Sequence, residues 1–278
     1  MAFTPLVQYK GLNDGQGPSP NLWADLPRDI QDRNVGVSIW DDFLTAVSYS
    51  TNTEVISEGG VYTSYVDTSN TIANLVDETG GVLALTTDNT DNDETWLESG
   101  SATSVLGKIS DTAGDDRKLW FEARGKVSEI ADSKIDWFIG LAEEGLAAAD
   151  TITDGDAMAS KDFIGFRVLA DDGDAIDAVY RKAGQAEQVV KSGAGVPVAD
   201  TFIKLGFHYN PKAETAKRIT FYVDGVEQNA YVTGTNIAAA TFPDGEELCF
   251  LAGLKNGTGQ VNEFAIDWWR YAQLVIEG

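Results

Sequence analysis

KLWFEARGKV (residues 118–127) alternates from one end to the other: Leu119, Phe121, Ala123, Gly125 and Val127 fall on one side, and Trp120, Glu122, Arg124 and Lys126 on the other. Successive side chains of a strand project to opposite faces, so this is the pattern of a sheet with one buried face. TFIKLGFHY (201–209) repeats it with Ile203, Leu205, Phe207 and Tyr209, and RITFYVDGVEQ (218–228) with Ile219, Phe221 and Val223. NEFAIDWWRYAQL (262–274) carries the same aromatic-rich character to the end of the chain. A chain of such segments packs sheets together and leaves outer faces free for contact, which favours a binding or structural role over catalysis.

Shorter strand candidates surround these. SIWDDFL (38–44) opens the ordered domain, followed by VYTSYV (61–66), VLALTT (82–87), ETWLES (94–99), KIDWFIGLAEEG (134–145), DFIGFRVL (162–169), AIDAVYRKAG (175–184), EQVVKSG (187–193) and ELCFLAGL (247–254). Asp224-Gly225 is the clearest hairpin signal, with Asp172-Gly173 and Lys182–Gly184 as further turns. Residues 146–160, rich in small side chains, read as a surface loop or a short helix. About a dozen strands with little helix predict an all-β antiparallel sandwich over residues 38–278.

Residues 1–37 read as an extended N-terminal arm. Pro18, Pro20 and Pro27 discourage regular structure, while Leu22, Trp23, Leu26 and Ile30 form an apolar set that should not stay in water. The expectation is that these four side chains contact a partner, and that removing the arm leaves a folded sandwich. The alternative is a strap on the chain's own domain.

The 278 residues include 28 glycines and 7 prolines, suited to many turns, and 43% are hydrophobic, enough for a substantial core. Lys and Arg number 20 against 44 Asp and Glu, giving a formal charge of −24. Such a chain is repelled by phosphate backbones and anionic surfaces, so direct nucleic-acid and membrane partners are not expected. Cys249 is the single cysteine, so the fold is held by its core, as suits synthesis in a reducing cytosol. No signal peptide is visible, and no stretch approaches the roughly 20 apolar residues of a membrane helix.

The order of motifs carries a resemblance: DDF, GGVLALTT, DNDETWLES, LWFEARGKV, DWFIGLAEEG, FIGFRV, FYVDGVE and FAIDWWRYAQL. Over roughly residues 38–276 it resembles a concanavalin-A-like (lectin/glucanase, laminin-G-like) jelly roll. Together with the NLWADLPRDIQDRN arm, it is similar to virion structural proteins encoded near the capsid genes of tailed bacteriophages. That resemblance implies a capsid decoration or cement subunit, made in the host cytoplasm and carried on the virion. Its implied partners are the major capsid protein, other virion proteins or further copies of itself. A carbohydrate-binding module on a virion surface or tail fibre is the alternative.

Chemistry-bearing residues are sparse. The glucanase members place catalytic carboxylates on one strand as Glu-x-Asp-x-x-Glu, a spacing absent here; the nearest approach is Glu263 and Asp267. Glu122 and Asp136 lie on outward faces of different strands. His208 is the only histidine and has no nucleophile partner, and one His with one Cys cannot build a zinc site. No catalytic residue and no cofactor is therefore expected. The loop DNTDNDE offers Asp88, Asp91, Asp93 and Glu94 as oxygen ligands for calcium, although Asp and Asn clusters are also ordinary turn formers. Trp269, in phase with Tyr271, is the expected exposed platform for a sugar or partner, with Trp268 directed into the core.

Overall fold

The computed structural model describes residues 15–45, 54–57, 59–76, 78, 80–100, 106–169 and 175–275. Residues 1–14 of the arm and the Asp172-Gly173 turn lie outside them. The first half of the chain forms β1 (Gly36–Asp41), β2 (Glu54–Ser57), β3 (Gly60–Val66), β4 (Thr71–Asn74), β5 (Leu83–Thr86), β6 (Glu94–Ser99), β7 (Gly107–Lys108), β8 (Leu119–Val127) and β9 (Ile135–Ala142). The second half adds β10 (Phe163–Val168), β11 (Ile176–Arg181), β12 (Gln188–Gly195), β13 (Ile203–Tyr209), β14 (Ile219–Val223), β15 (Val226–Val232), β16 (Glu247–Asn256) and β17 (Glu263–Leu274).

These strands make two antiparallel sheets packed face to face. Sheet I runs β15-β14-β13-β8-β17-β5-β4, with β1 pairing the second half of β17. Sheet II runs β12-β11-β10-β9-β16-β6-β3-β2, with β7 on β16. The alternating residues read from the sequence do form the core between them: Leu119, Phe121 and Ala123 of β8 and Leu205, Phe207 and Tyr209 of β13 face Ile139 and Leu141 of β9 and Phe166 of β10. Ring contacts tie the layers, with Phe250 stacked on Trp269 at 4.6 Å and Phe166 edge-on to Phe221 at 5.6 Å. Asp224 and Gly225 both take positive φ, 48° and 74°, the geometry a two-residue hairpin between β14 and β15 requires.

β17 corrects one expectation. Phe264 and Ile266 point into the core, but the register against β8 slips between Ile266 and Trp268. One extra residue in a strand reverses which side chains face inward. Beyond the bulge Trp269 and Tyr271 are therefore the core residues, both fully buried, and Trp268 lies on the outer face. Neither Trp269 nor Tyr271 can present a platform.

The outer faces are not bare either. Residues 15–35 cross the outside of sheet I, where Leu22, Trp23 and Ile30 bury against Trp120, Ala272 and Leu274, with Leu26 packed at the margin. The described part of the arm is a strap on the chain's own sheet. The four apolar side chains expected to reach a partner are spent on it, because the outer row of β8 and β17 is itself aromatic and needs covering. On the other side, residues 143–162 form a loop, without helix, over the outer face of sheet II.

Candidate binding surface

The strap is held by charge-assisted hydrogen bonds. Ser19 N and Trp23 Nε1 both donate to Glu122 Oε2, at 2.9 and 2.7 Å. Lys204 Nζ reaches Gly17 O at 3.2 Å. Burial raises the Glu122 pKa, against the pull of Ser19, Trp23 and Lys204. Asp25 accepts from Lys118 Nζ at 2.7 Å and Trp120 Nε1 at 2.9 Å. Burial works against its ionisation, yet His208, Lys118 and Trp120 together hold its pKa below the usual carboxylate range. His208 stacks on Trp120 at 5.0 Å with Nε2 3.7 Å from Asp25 Oδ1, and burial pushes its pKa down to about 4. The lone histidine is a packing residue beneath the strap.

At the border of β1 and β17 the strap leaves an aromatic surface open. Trp40 is 37% exposed, the only tryptophan of seven that reaches solvent to that degree. One face of the indole stacks against Trp268, with centroids 5.4 Å apart and planes 23° from parallel. The Arg270 guanidinium lies 5.7 Å from the Trp40 ring and 4.1 Å over Trp23, so it bridges the two indoles. Trp268 Nε1 is tied to Gln16 O at 2.7 Å. Beside it, Asp267 is ion-paired with Arg124, and burial raises the Asp267 pKa despite that partner. The Trp40 ring is thus backed by Trp268 and flanked by Arg270, an arrangement that leaves an aromatic surface at the sheet I face. Nothing in the sequence singles out Trp40, because its stacking partner Trp268 reaches the outer face only through the bulge in β17.

The outer face of sheet II tells the opposite story. Three side chains of β6, Glu94, Trp96 and Glu98, sit on it and are buried. Trp96 lies flat over Gly253, where an added Cβ would come within 2.2 Å of the ring, and Phe138 lies likewise over Gly140 and Gly165. Glu94 and Glu98 stand four residues apart on the same face of β6, and both are buried. Trp96 fills the space between them, and both accept N–H groups from the loop above. Glu122 and Asp136 are on opposite sides of the molecule, facing out from sheet I and sheet II. Glu263 and Asp267 share β17 across the bulge, where Asp267 serves Arg124.

The proposed calcium loop does not gather its four carboxylates. Asp88 and Asp93 share a hydrogen bond; this lowers the Asp88 pKa, and burial together with Asp88 pushes that of Asp93 up to about 7. Glu94 turns away into the sheet II face, and Asp91 is exposed beside Asn92. Glu143, Asp162 and Glu246 bring carboxylate oxygens within 4.8 Å of one another, a grouping invisible in sequence because three separate strand ends supply it. Lys161 pairs with Glu143 at 3.0 Å.

No protein-family model and no curated protein matches this sequence. Solved structures do. A protein of unknown function from Shewanella oneidensis MR-1 superposes with TM-score 0.53 at 13% identity, covering 88% of this chain and 90% of that one. An endo-1,3-β-glucanase from Streptomyces sioyaensis gives 0.51 at 13%, covering 84% and 95%. Peanut lectin gives 0.49 at 17%, covering 84% and 99%. The fold is that of the concanavalin-like lectins and glucanases. At these identities the likeness speaks for architecture alone, as the jelly roll hosts many activities.

Proposed function

We propose that this protein is a non-catalytic carbohydrate-binding sandwich that stacks a sugar ring on Trp40. The observation that carries the reading is the exposed Trp40 indole, backed by Trp268 and braced by Arg270, on a molecule whose other six tryptophans are covered. The non-catalytic part rests on Glu94 and Glu98, the two same-face carboxylates of β6, being buried and accepting N–H groups from the loop that covers them. Screening the full chain against immobilised neutral polysaccharides tests it. Binding that falls at least about tenfold in Trp40→Ala, with an unchanged melting temperature, supports the reading. No binding to any glycan, or equal binding by the variant, overturns it.

A second reading is favoured by the order of packing motifs along the sequence: a virion structural subunit, a capsid decoration or cement protein, whose partner is the major capsid protein. Its interface would lie on the exposed side of the strap or on the sandwich loops, since Leu22, Trp23 and Ile30 are occupied. Co-sedimentation with expanded capsids separates the two readings.

A further inference from the structure

The bulge in β17 does more than turn Trp269 inward. Past it, Trp268 and Arg270 come out on the face that residues 15–35 cross, and each meets the strap at a different point. Trp268 Nε1 donates to Gln16 O at 2.7 Å, and the Arg270 guanidinium lies 4.1 Å over the Trp23 ring. Both also meet Trp40, one through the indole stack at 5.4 Å and the other through the guanidinium at 5.7 Å. These contacts close a circuit. It leaves the strap at Gln16, passes through Trp268, Trp40 and Arg270, and returns to the strap at Trp23.

Most of that circuit is fixed from behind. Trp268 and Trp23 are buried, and Trp23 is oriented by its Nε1 bond to Glu122 Oε2 at 2.7 Å. Arg270 stands opposite Glu122 in the β8–β17 pairing and opposite Trp40 in the β1–β17 pairing, so it lies between the strap's anchor and the exposed indole. Trp40 alone is open to solvent. An exposed indole on a strand has several rotamers available, and packing selects among them. A planar guanidinium can do this by stacking on ring faces, where an ammonium supplies only a point charge.

We propose that Arg270 is the positioning residue of the Trp40 surface, holding the indole in its stacked orientation by coupling it to Trp23 of the strap. Its consequence for ligands rests on the sugar-binding reading above: a ring fixed before the ligand arrives binds more tightly than one that must be ordered on binding. The strap then acts on the ligand surface through Arg270, and Trp23 has a second role besides covering the sheet.

Hydroxyl-radical oxidation of the full chain, located by peptide mass mapping, reads the exposure of each tryptophan without any ligand. In Arg270→Leu the oxidation rate of Trp40 should rise at least about threefold as the ring leaves its rotamer, while Trp96 and Trp137 keep theirs. Arg270→Lys should fall between, because the charge stays and the stacking plane goes. Trp23→Leu should raise the Trp40 rate in the same way. Combined with Arg270→Leu it should add nothing further, since both changes act through one contact. Binding to the immobilised neutral polysaccharides should weaken about tenfold in Arg270→Leu and partly recover in Arg270→Lys. Unchanged Trp40 oxidation in the Arg270 variants, or a Trp23→Leu effect that adds in full, overturns the proposal. A role in stability alone would lower the melting temperature and leave the Trp40 rate where it was. Equal polysaccharide binding beside raised oxidation overturns the consequence for ligands. If the wild type binds no polysaccharide, the sugar reading falls and the oxidation rates still decide the positioning. If Arg270→Leu does not fold, Arg270→Lys decides.

Discussion

Asp41 is buried at the end of β1 in sheet I, yet its carboxylate serves sheet II. It accepts Phe43 N at 2.8 Å, Ser57 Oγ at 2.7 Å, Gly59 N at 2.9 Å and the Tyr62 hydroxyl. The Tyr62 oxygen in turn accepts Trp269 Nε1 at 2.8 Å, so one chain of hydrogen bonds locks the layers at this end. Truncating the hub strands several buried donors, and breaking such a charged group's set of partners costs about 3–5 kcal/mol. Asp41→Ala should lose that much in urea denaturation, and Asp41→Asn less, since its amide oxygen keeps part of the set. A loss below about 1 kcal/mol for the alanine variant would show that the lock is not needed. The DDF motif is visible in sequence, but its role is not, because its donors come from the β2–β3 hairpin. Trp269 shows the same limit from another side. Its alternation reads outward from Phe264, and only the bulge after Ile266, a property of the pairing with β8, turns it inward.

At the scale of elements, the strands that bury one face were legible and the covers were not. β8, β13 and β14 announce themselves because one-sided burial writes itself as alternation. β2 and β4 are four-residue strands at or beside sheet edges, too short for a period to show. The strap was legible as a non-helical segment with four apolar side chains needing cover, but composition cannot say which surface covers them. The structure assigns it to the chain's own sheet, and this reverses the expected outcome of truncation. Removing residues 1–35 should bare Trp120, Trp268, Ala272 and Leu274, leaving a protein that aggregates or melts well below the full chain. Trp23→Ala removes the indole's packing on Arg270 and its bond to Glu122, which is left buried and short of a donor. It should cost about 3 kcal/mol or more in chemical denaturation. A truncated chain with full stability would return the arm to the role of a partner contact.

Across the whole molecule, the formal charge of −24 is concentrated as well as large. Where β9 ends and β10 and β16 begin, Glu143, Asp162 and Glu246 crowd together, with Glu144 and Glu247 beside them. Burial and these neighbours raise the Glu246 pKa, so its ionised form is resisted at neutral pH. Self-repulsion of this kind opposes the compact state and is screened by salt, because the Debye length falls from about 30 Å at 0.01 M to about 3 Å at 1 M. Raising the ionic strength at pH 7 should therefore raise the melting temperature. Glu246→Gln should stabilise the protein at low salt, by less than about 1 kcal/mol since the group is largely solvated. Raising its pKa also fixes the sign with pH: between its ordinary value and the raised one, stability from this group falls as pH rises, and the glutamine variant lacks that fall. The gain from the variant should shrink as salt is added. A gain that persists undiminished in 1 M salt would mean that packing, not charge, is what the substitution relieves.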